Sequence, residues 1–398
     1  DGKEIARNCK GLPLSMVAIA GLLQGEHMKP GSWKQIAESL NSIIVIDPQT
    51  RCMDILELSY KHLPDYLKAC FLYLGAFQGD KEIPVRRLIW LWMAEGFILK
   101  RDSRSLEDLG EGYLRDLIGR SLITVAKRRS NGSVKTCGVH DMVRNLCLLK
   151  AKEENFLKLV TNSDEPYASF DDNVDFDDFD PSNSVIYEEH RLCMSMSRQH
   201  FVVSRPSGPY VRSLLFFAIN DAYPRCPYNV SFISENFELL KVLDLESINM
   251  GSSFTDGIDL LVQLSYLAVG GDIDSIPSSL ANLRNLETLL VKGLKGKVVL
   301  PDSIWHMTRL RHVHVTNHAA FTLKNMTGSY YQLSNLVSLS MPTLSYGEHA
   351  EIITRRLPNL RDLSCIFSKS RGFSTDCYQF PRLEDLTRLE SLKVVYRG

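Results

Sequence analysis

The sequence lacks a hydrophobic run long enough to cross a membrane. Its longest apolar stretch, Leu12–Leu23, is about half a membrane span and contains Pro13 and Ser15. No secretory signal peptide is recognisable at the first residue. The charges are balanced, with 46 Lys and Arg against 47 Asp and Glu, which argues against a generally polyanion-binding protein. These absences predict an intracellular, mainly cytoplasmic protein, with a peripheral membrane or nuclear pool left open.

Two further absences concern chemistry. The nine cysteines are odd in number and form no C-x-x-C pair, which predicts reduced thiols and neither a disulfide framework nor a zinc site. No G-x-x-x-x-G-K-S/T string occurs, since Gly296-Lys297 is followed by Val298. The amides, the lysine and the hydroxyl of a P-loop are therefore missing. We predict that this chain neither hydrolyses ATP nor binds it tightly, and that it is not an enzyme.

What the sequence does contain is a leucine pattern, L-x-x-L-x-L, that recurs through its second half. Successive units start 29, 24, 22, 24, 26, 24 and 29 residues apart, which fits the period of about 20–29 residues of leucine-rich repeats. Each unit predicts a short strand that stacks on its neighbours around a shared core. The units are Val211/Leu214/Phe216, Leu240/Leu243/Leu245, Leu264/Leu267/Val269, Leu286/Leu289/Val291, Leu310/Val313/Val315, Leu336/Leu339/Met341, Leu360/Leu363/Cys365 and Leu389/Leu392/Val394.

Between the apolar positions of each predicted strand, side chains point to the opposite face. They vary in chemistry from unit to unit, as expected if the concave face of a horseshoe binds a partner. The alternative is a face that is merely exposed to solvent. Ile276–Leu280 and Leu300–Ile304 resemble connections on the convex side. We predict a partner-binding face that contains Asp244, Glu246, Tyr266, Thr288, His312, His314, Ser338, Asp362 and Lys393.

The histidines of this region could also be arranged as a metal site. His312 and His314 share a strand face, with His306 and His318 nearby in the sequence. No cysteine or carboxylate completes a recognisable ligand set. We therefore predict no metal site here.

The part before the repeats reads as helices followed by a small hairpin, which suggests a winged helix. Apolar runs at helical spacing cover Leu14–Leu23 and Leu88–Phe97. Two strand-like runs flank the turn signal Ser130–Ser133, and another helix begins near His140-Asp141. We expect an α+β multidomain chain: a helical domain remnant (1–45), a winged helix (46–155), an acidic linker (156–188) and a leucine-rich-repeat α/β solenoid (189–398).

The linker prediction depends on charge. No Lys or Arg occurs between Lys158 and Arg191, whereas acidic residues are frequent there. Asp171, Asn173 and Asp175 have the spacing that opens a calcium-binding EF-hand loop, but the glycine and the glutamate that such a loop needs later are absent. We predict no calcium site.

Several strings before the repeats carry a family resemblance. Cys9–Leu14 is similar to a GLPL motif, Cys70–Phe77 to a motif just inside a winged-helix domain, and Val139-His140-Asp141 to an MHD motif with Val in place of Met. In this order, ahead of leucine-rich repeats, they resemble the plant intracellular nucleotide-binding leucine-rich-repeat immune receptors of the coiled-coil class, close to the late blight resistance-like group. The resemblance covers nearly the whole chain.

The resemblance implies a nucleotide switch for plant defence. In such receptors ADP lies between the nucleotide-binding (NB-ARC) core, the GLPL helical domain and the winged helix. Carried over, Gly11, Leu12, Pro13 and Leu14 would contact ADP or ATP, with Pro13 on the adenine ring. His140 would donate to the β-phosphate, and Val139, His140 and Asp141 would form the switch motif.

The same resemblance implies partners and a missing domain. The repeats would restrain the switch, contact the nucleotide-binding domain that this sequence lacks, and recognise a pathogen effector or a guarded host protein. Recognition would lead to a hypersensitive response. The intact receptor would use ADP or ATP, whereas this chain should hold neither tightly.

Structural explanations stand beside each motif. Pro13 can simply start a helix, and His140 can stand at a helix start beside a capping Asp141. Two other functions stay open: a stand-alone repeat module, such as a decoy or adaptor that binds protein without nucleotide, and nucleic-acid binding through Lys127-Arg128-Arg129 beside the wing. We disfavour nucleic acid because a basic surface can equally pair with the acidic linker or the repeats.

Overall fold

A computed structural model of the chain describes most of its length. The described residues are 3, 6, 7, 9, 12–24, 32–41, 47–79, 81–100, 103–161, 185–219, 226–251, 257–294, 296–322, 331–345, 348–368 and 383–397. They divide into two units, residues 1–159 and 160–398. Within the described ranges, no helix is long and apolar enough to cross a membrane.

The first unit is mostly helical in its described part. Pro13 and Pro48 occupy first helical positions, where a missing N–H costs nothing. The Asp47 carboxylate caps the second of these starts, because it accepts the Thr50 N–H at 2.8 Å. The helices are α1 (Pro13–Leu23), α2 (Ser32–Asn41), α3 (Pro48–Lys61), α4 (Asp65–Tyr73), α5 (Val85–Ala94), α6 (Leu106–Gly119) and α7 (Asp141–Glu153).

A small antiparallel sheet completes this unit. Its strands β1 (Ile83–Pro84), β2 (Thr124–Arg128) and β3 (Val134–Gly138) lie in the order β1-β3-β2. The turn between β2 and β3 contains Gly132, whose φ of +83° favours glycine. Because α7 starts shortly after β3, helices and hairpin follow in the predicted order, and the winged-helix prediction is confirmed.

Gly21 brings α1 against the end of α6. A Cβ at residue 21 would stand 2.3 Å from the carbonyl oxygen of Arg120, and this neighbour is backbone that cannot rotate away. We expect Gly21→Ala to lower the free energy of unfolding of the first unit by about 1–3 kcal/mol, because α1 must shift.

Gly112 supplies the matched control for this prediction. It lies inside α6 with nothing within 4 Å of an added Cβ, so Gly112→Ala should raise stability by about 0.4–1 kcal/mol. Urea unfolding of both variants and the wild-type chain measures the two effects. Equal stability of Gly21→Ala and wild type would contradict the close contact.

The second unit is built on a sheet of eleven strands in its described part, and the strand pairs from β5 to β14 are parallel. From one edge the strand order is β14-β13-β12-β11-β9-β8-β7-β6-β5-β4, and β10 pairs with β11 beside this path. The strands are β4 (Lys158–Thr161), β5 (Arg191–Met196), β6 (Ser213–Ala218), β7 (Val242–Asn249), β8 (Tyr266–Gly271), β9 (Thr288–Gly293), β10 (Lys297–Leu300), β11 (His312–Phe321), β12 (Ser338–Ser345), β13 (Asp362–Ser368) and β14 (Ser391–Arg397). Helices α8 (Arg198–Ser204), α9 (Phe232–Asn236) and α10 (Glu348–Arg355) lie between them.

Leucine-like residues form a continuous row across this sheet. From β7 to β13 the row is at most 3% exposed and belongs to one hydrophobic core, whereas its member on β14, Leu392, is 45% exposed. Stacked strands with a shared apolar row confirm the leucine-rich-repeat prediction. The row consists of Leu243, Leu267, Leu289, Val313, Leu339, Leu363 and Leu392.

A backbone ladder joins each repeat to the next. The Arg311 carbonyl accepts the N–H groups of Val337 at 2.7 Å and Ser338 at 3.1 Å. Because main-chain atoms make these bonds, the side chains beside them are free to vary between repeats. The same double acceptance recurs at the carbonyls of His190, Arg212, Lys241, Ser265, Glu287, Val337 and Arg361.

The proline-led segments form connections between strands, as predicted. A 3-10 helix, Ser278–Asn282, follows Pro277 and joins β8 to β9. A second, Asp302–His306, follows Pro301 and joins β10 to β11. The two short helices pack against each other in neighbouring repeats.

Regular structure occupies both described ends of the range 156–188 that was predicted as an acidic linker. Strand β4 lies inside it, and the Tyr187 N–H donates to the Ser207 carbonyl at 2.8 Å. Residues 162–184, which include the calcium alternative at Asp171, Asn173 and Asp175, lie outside the described residues.

Candidate functional site

The string Gly11–Leu14 leads into the first turn of α1. Gly11 lies outside the described residues, and Leu12 precedes the helix in extended backbone. Pro13 is the first helical residue and is exposed, while Leu12 and Leu14 are half-buried. The structure therefore agrees with the alternative in which Pro13 starts a helix. Its exposed ring also leaves an apolar surface on which a ligand could pack.

Helix α1 is apolar on its exposed side as well as on its buried side. Pro13, Met16, Val17 and Ala20 follow the i, i+3, i+4, i+7 spacing of one helix face, and all four are exposed. Met16 is 43% and Val17 48% exposed. Such a stripe is unusual for a helix whose opposite face is already packed in a core.

His140 is the residue that caps α7. Its Nδ1 accepts the Met142 N–H at 3.2 Å, and its backbone is extended. Asp141 is the first residue of the helix, so the alternative that expected Asp141 to be the cap is wrong. Because Nδ1 accepts a hydrogen bond, a neutral His140 ring carries its proton on Nε2. The side chain is exposed, which leaves this N–H available to an acceptor such as a phosphate oxygen.

The residues beside His140 fix its position from two sides. Val139 is buried in the first unit. The Asp141 carboxylate lies over Gly79, where an added Cβ would be 2.1 Å from Oδ1. Residue 79 leaves room for this carboxylate because it has no side chain. Val139, His140 and Asp141 therefore have three different environments: core, solvent and a neighbouring loop.

Helix α3 connects the two motif-bearing helices. It packs against α1, which begins at Pro13, and against α7, which begins after His140. Pro13 and His140 thus stand at exposed starts of two helices with a common neighbour. Sequence spacing could not show this, because the two residues are far apart in the chain.

The register of the second unit assembles the predicted partner residues into two rows. Side-chain hydrogen bonds connect members of each row: His312 Nδ1 lies 2.9 Å from Ser338 Oγ, and His314 bonds Ser340. The first row is Tyr266, Thr288, His312, Ser338 and Asp362. The second is Asp244, Ala268, Leu290, His314, Ser340, Ser364 and Lys393, and Glu246 lies two residues beyond it.

Accessibility differs strongly along these rows. Asp244, Tyr266, Thr288, His312 and Ser338 are buried. The remaining candidates Glu246, His314 and Asp362 are half-buried, and Lys393 is exposed. The partner face stays a prediction, but of its nine proposed members only Glu246, His314, Asp362 and Lys393 offer accessible side chains.

Asp244 has a structural role in this arrangement. It is 1% exposed, and its Oδ2 accepts the Tyr266 hydroxyl at 3.3 Å. Asp244→Ala should therefore lower the free energy of unfolding of the repeat unit by about 1–3 kcal/mol, because it leaves a buried hydroxyl without this acceptor. Lys393→Ala, an exposed change in the same row, should stay within about 0.5 kcal/mol of wild type. Urea unfolding measures both variants. An unfolding free energy of Asp244→Ala equal to that of wild type would contradict the hydrogen bond between Asp244 and Tyr266.

The basic residues beside the wing contact the hairpin region itself. Lys127 Nζ lies 2.8 Å from Glu82 Oε1, and this hydrogen bond lowers the pKa of the Glu82 carboxyl. Arg128 donates to the Gly132 carbonyl at 2.9 Å. Arg129 donates to Ser133 Oγ at 3.4 Å. These partners lie within the winged-helix region itself, whereas the alternative to nucleic-acid binding expected the acidic linker or the repeats, so that alternative stays a prediction.

The thiols and histidines do not assemble into a metal centre in the part of the chain described. Within those ranges, no group of three or more His, Cys, Asp or Glu is placed to hold a metal ion. The described cysteines are free thiols, and all of them except Cys226 are buried. Burial raises the pKa of the Cys137 thiol to about 12, so it stays protonated and unreactive near neutral pH.

Comparisons with known proteins agree with this architecture. Residues 76–147 match the model of the disease resistance protein winged helix domain, and residues 211–398 match that of a leucine-rich repeat region. Neither is an enzyme family. A winged helix of this type followed by leucine-rich repeats defines the class of plant disease-resistance proteins.

Relatives extend the match to the whole chain. A putative late blight resistance protein homologue of Solanum demissum is 37% identical over 404 residues, which cover 100% of this chain and 30% of that protein. A late blight resistance protein of the same species is 36% identical over 415 residues, with the same coverage. The chain belongs to the family of plant resistance proteins that includes these late blight resistance proteins, and it spans 30% of their length.

A solved structure also matches in part. An internalin from Listeria monocytogenes covers 51% of this chain and 80% of its own, with 11% sequence identity and a TM-score of 0.22. A likeness at this level does not bear on the fold, which follows from the strands described above.

Two residues near the site were not identified from the sequence. Arg144 donates from Nε to the Phe77 carbonyl, and Gly79 lies beneath Asp141. Arg144 and Phe77 are 67 positions apart, so no local pattern connects them. The position of Arg144, one helical turn after Asp141, was the one sequence feature that could have pointed to a shared role of the two residues.

Proposed function

We propose that this chain supplies the regulatory and sensing parts of a nucleotide-switched resistance receptor. The α1 start and the winged helix would contact ADP, and the leucine-rich repeats would restrain the switch and recognise a pathogen effector or a guarded host protein. The chain itself would not catalyse a reaction.

The geometry of His140 carries the nucleotide part of this proposal. Its Nδ1 bonds to the helix start, so that Nε2–H faces solvent beside the positive end of the α7 dipole. Backbone N–H groups and a favourable dipole make helix N-termini suitable for phosphate. His140 would donate to the β-phosphate of ADP, and the exposed ring of Pro13 would pack on the base.

The exposed stripe of α1 supports a missing domain as the second partner. Pro13, Met16, Val17 and Ala20 present an apolar surface without a polar interruption. The relatives are about three times as long as this chain. The nucleotide-binding domain of an intact receptor would cover this stripe and complete the ADP site.

The accessible residues of the repeat face support protein recognition there. His314, Asp362 and Lys393 differ in charge and hydrogen-bonding capacity and are at least partly exposed. Backbone bonds hold the repeats together, so these side chains can vary without loss of the framework. We propose that the effector or host target contacts these three side chains.

Mapping of the 5′ end of the transcript distinguishes this proposal from a stand-alone repeat module. An in-frame P-loop upstream of Asp1 is expected. A start codon close to Asp1 would contradict the nucleotide switch and would leave a decoy or adaptor that acts through the repeat face alone.

A further inference from the structure

Arg144 makes a contact that the switch motif alone does not explain. It follows Asp141 by three positions on α7, so the two side chains leave the same face of the helix. Its Nε donates to the Phe77 carbonyl. Guanidinium is always charged and donates in a fixed plane, which makes its bond to a carbonyl stronger than that of a neutral donor.

Asp141 and Arg144 contact the same short loop, residues 77–79. A Cβ at Gly79 would lie 2.1 Å from Asp141 Oδ1 and 3.5 Å from Arg144 Cδ. An acidic and a basic side chain of the first α7 turn therefore both lie against the loop backbone at residue 79.

The chain that follows this loop returns to the strand that carries the motif. Strand β1 pairs with β3, with Ile83 opposite Cys137. Glu82 Oε2 accepts the Thr136 hydroxyl at 2.8 Å. Strand β3 ends at Gly138, directly before Val139. Phe77 and residues 82–84 are thus bonded to the chain on both sides of His140, residues 82–84 before it through β3 and Phe77 after it through Arg144.

We propose that Arg144 is a positioning residue of the switch. It binds the start of α7 to the loop 77–79, so that displacement of His140 and Asp141 by loss of nucleotide would be transmitted to this loop. This consequence rests on the proposed nucleotide function. The positioning itself rests on the contacts of Arg144, Asp141 and Gly79.

Hydrogen–deuterium exchange on the full 398-residue chain tests the positioning. Arg144→Met keeps an apolar stem but removes the donor, and it should speed exchange in peptides that contain residues 77–79 and 141–144 by about tenfold. Arg144→Lys keeps a cationic donor and should restore most of the protection. Asn145→Ala, an exposed neighbour on α7, serves as the matched control and should leave exchange unchanged.

The inference would be overturned by unchanged exchange in Arg144→Met, by equal acceleration in the Met and Lys variants, or by acceleration spread evenly over α5 and α6. The last would show a general loss of stability. Combining Arg144→Met with Asp141→Val should accelerate loop exchange less than the product of the single effects, because both act on one loop. If the double variant accelerated exchange by the full product of the two single effects, the two residues would act independently, and this would also overturn the inference.

ADP release from an intact receptor keeps this inference distinct from the proposed function. Faster ADP release from Arg144→Met at an unchanged melting temperature supports both the positioning role of Arg144 and the proposed nucleotide function. Faster local exchange with unchanged ADP release supports Arg144 as the residue that positions the loop and contradicts the transmission of nucleotide loss to that loop.

Discussion

Asp141→Val in an intact receptor that carries this segment should cause cell death without a pathogen. The substitution removes a carboxylate from the first turn of α7, where negative charge is worth about 0.3–1 kcal/mol against the helix dipole. It also removes the group that lies over Gly79. A combined loss of about 1–2 kcal/mol would raise the population of the open state by a factor of about 5–30.

Asp65→Val is the matched control for this experiment. Asp65 is the first residue of α4 and pairs with Lys68 at 2.8 Å, so the change removes a first-turn carboxylate from another helix of the same unit. Cell death should be scored in leaves at equal protein level. Silence of Asp141→Val, or equal cell death with both variants, would contradict the assignment of Asp141 to the switch.

Leu289→Ala should cost the repeat unit about 2–5 kcal/mol of unfolding free energy. Leu289 on β9 is fully buried between Leu267 of β8 and Val313 of β11 in the same apolar row. Truncation removes buried methyl groups and leaves a cavity that the rigid strands on both sides fill poorly. Against a typical stability of about 5–15 kcal/mol for a domain, this is a large fraction.

Leu392→Ala tests the same row where it is exposed. Leu392 occupies the equivalent position on β14 but is 45% exposed, so its truncation should cost less than about 1 kcal/mol. Urea unfolding followed by circular dichroism compares the two variants. Similar losses would contradict the burial gradient along the row.

The leucine row could be predicted because two periods specify it together. The repeat period fixed which residues meet on neighbouring strands, and the alternation within a strand fixed which of them face the core. Leu243, Leu267 and Leu289 accordingly lie in one register. The winged-helix order could be predicted for a similar reason, since turn signals and helical spacing are local properties.

The accessibility of the partner face could not be predicted in this way. Alternation places Asp244 and Tyr266 on the face opposite the core, but it cannot show that this part of the face is buried. Burial there depends on contacts between residues distant in sequence. The strand register shows which of these residues are neighbours, and burial decides which of them a partner can reach.

The start of α7 could be predicted from the sequence to within one residue, but the residue that caps it could not. Asp is a more frequent helix cap than His, whereas here His140 caps α7 through Nδ1. The bond from Arg144 to Phe77 spans 67 positions and needed the fold. Both details concern the environment of His140, which carries the proposed function.

The nucleotide content of the purified intact receptor tests the central claim most directly. Wild-type receptor should retain ADP through purification, and His140→Ala should lose most of it, because the Nε2 donor to the β-phosphate is gone. His62→Ala, an exposed histidine of the same unit, is the control and should keep the wild-type amount. Equal ADP in all three proteins would contradict a phosphate contact by His140 and, with it, the proposed role of this chain in a nucleotide switch.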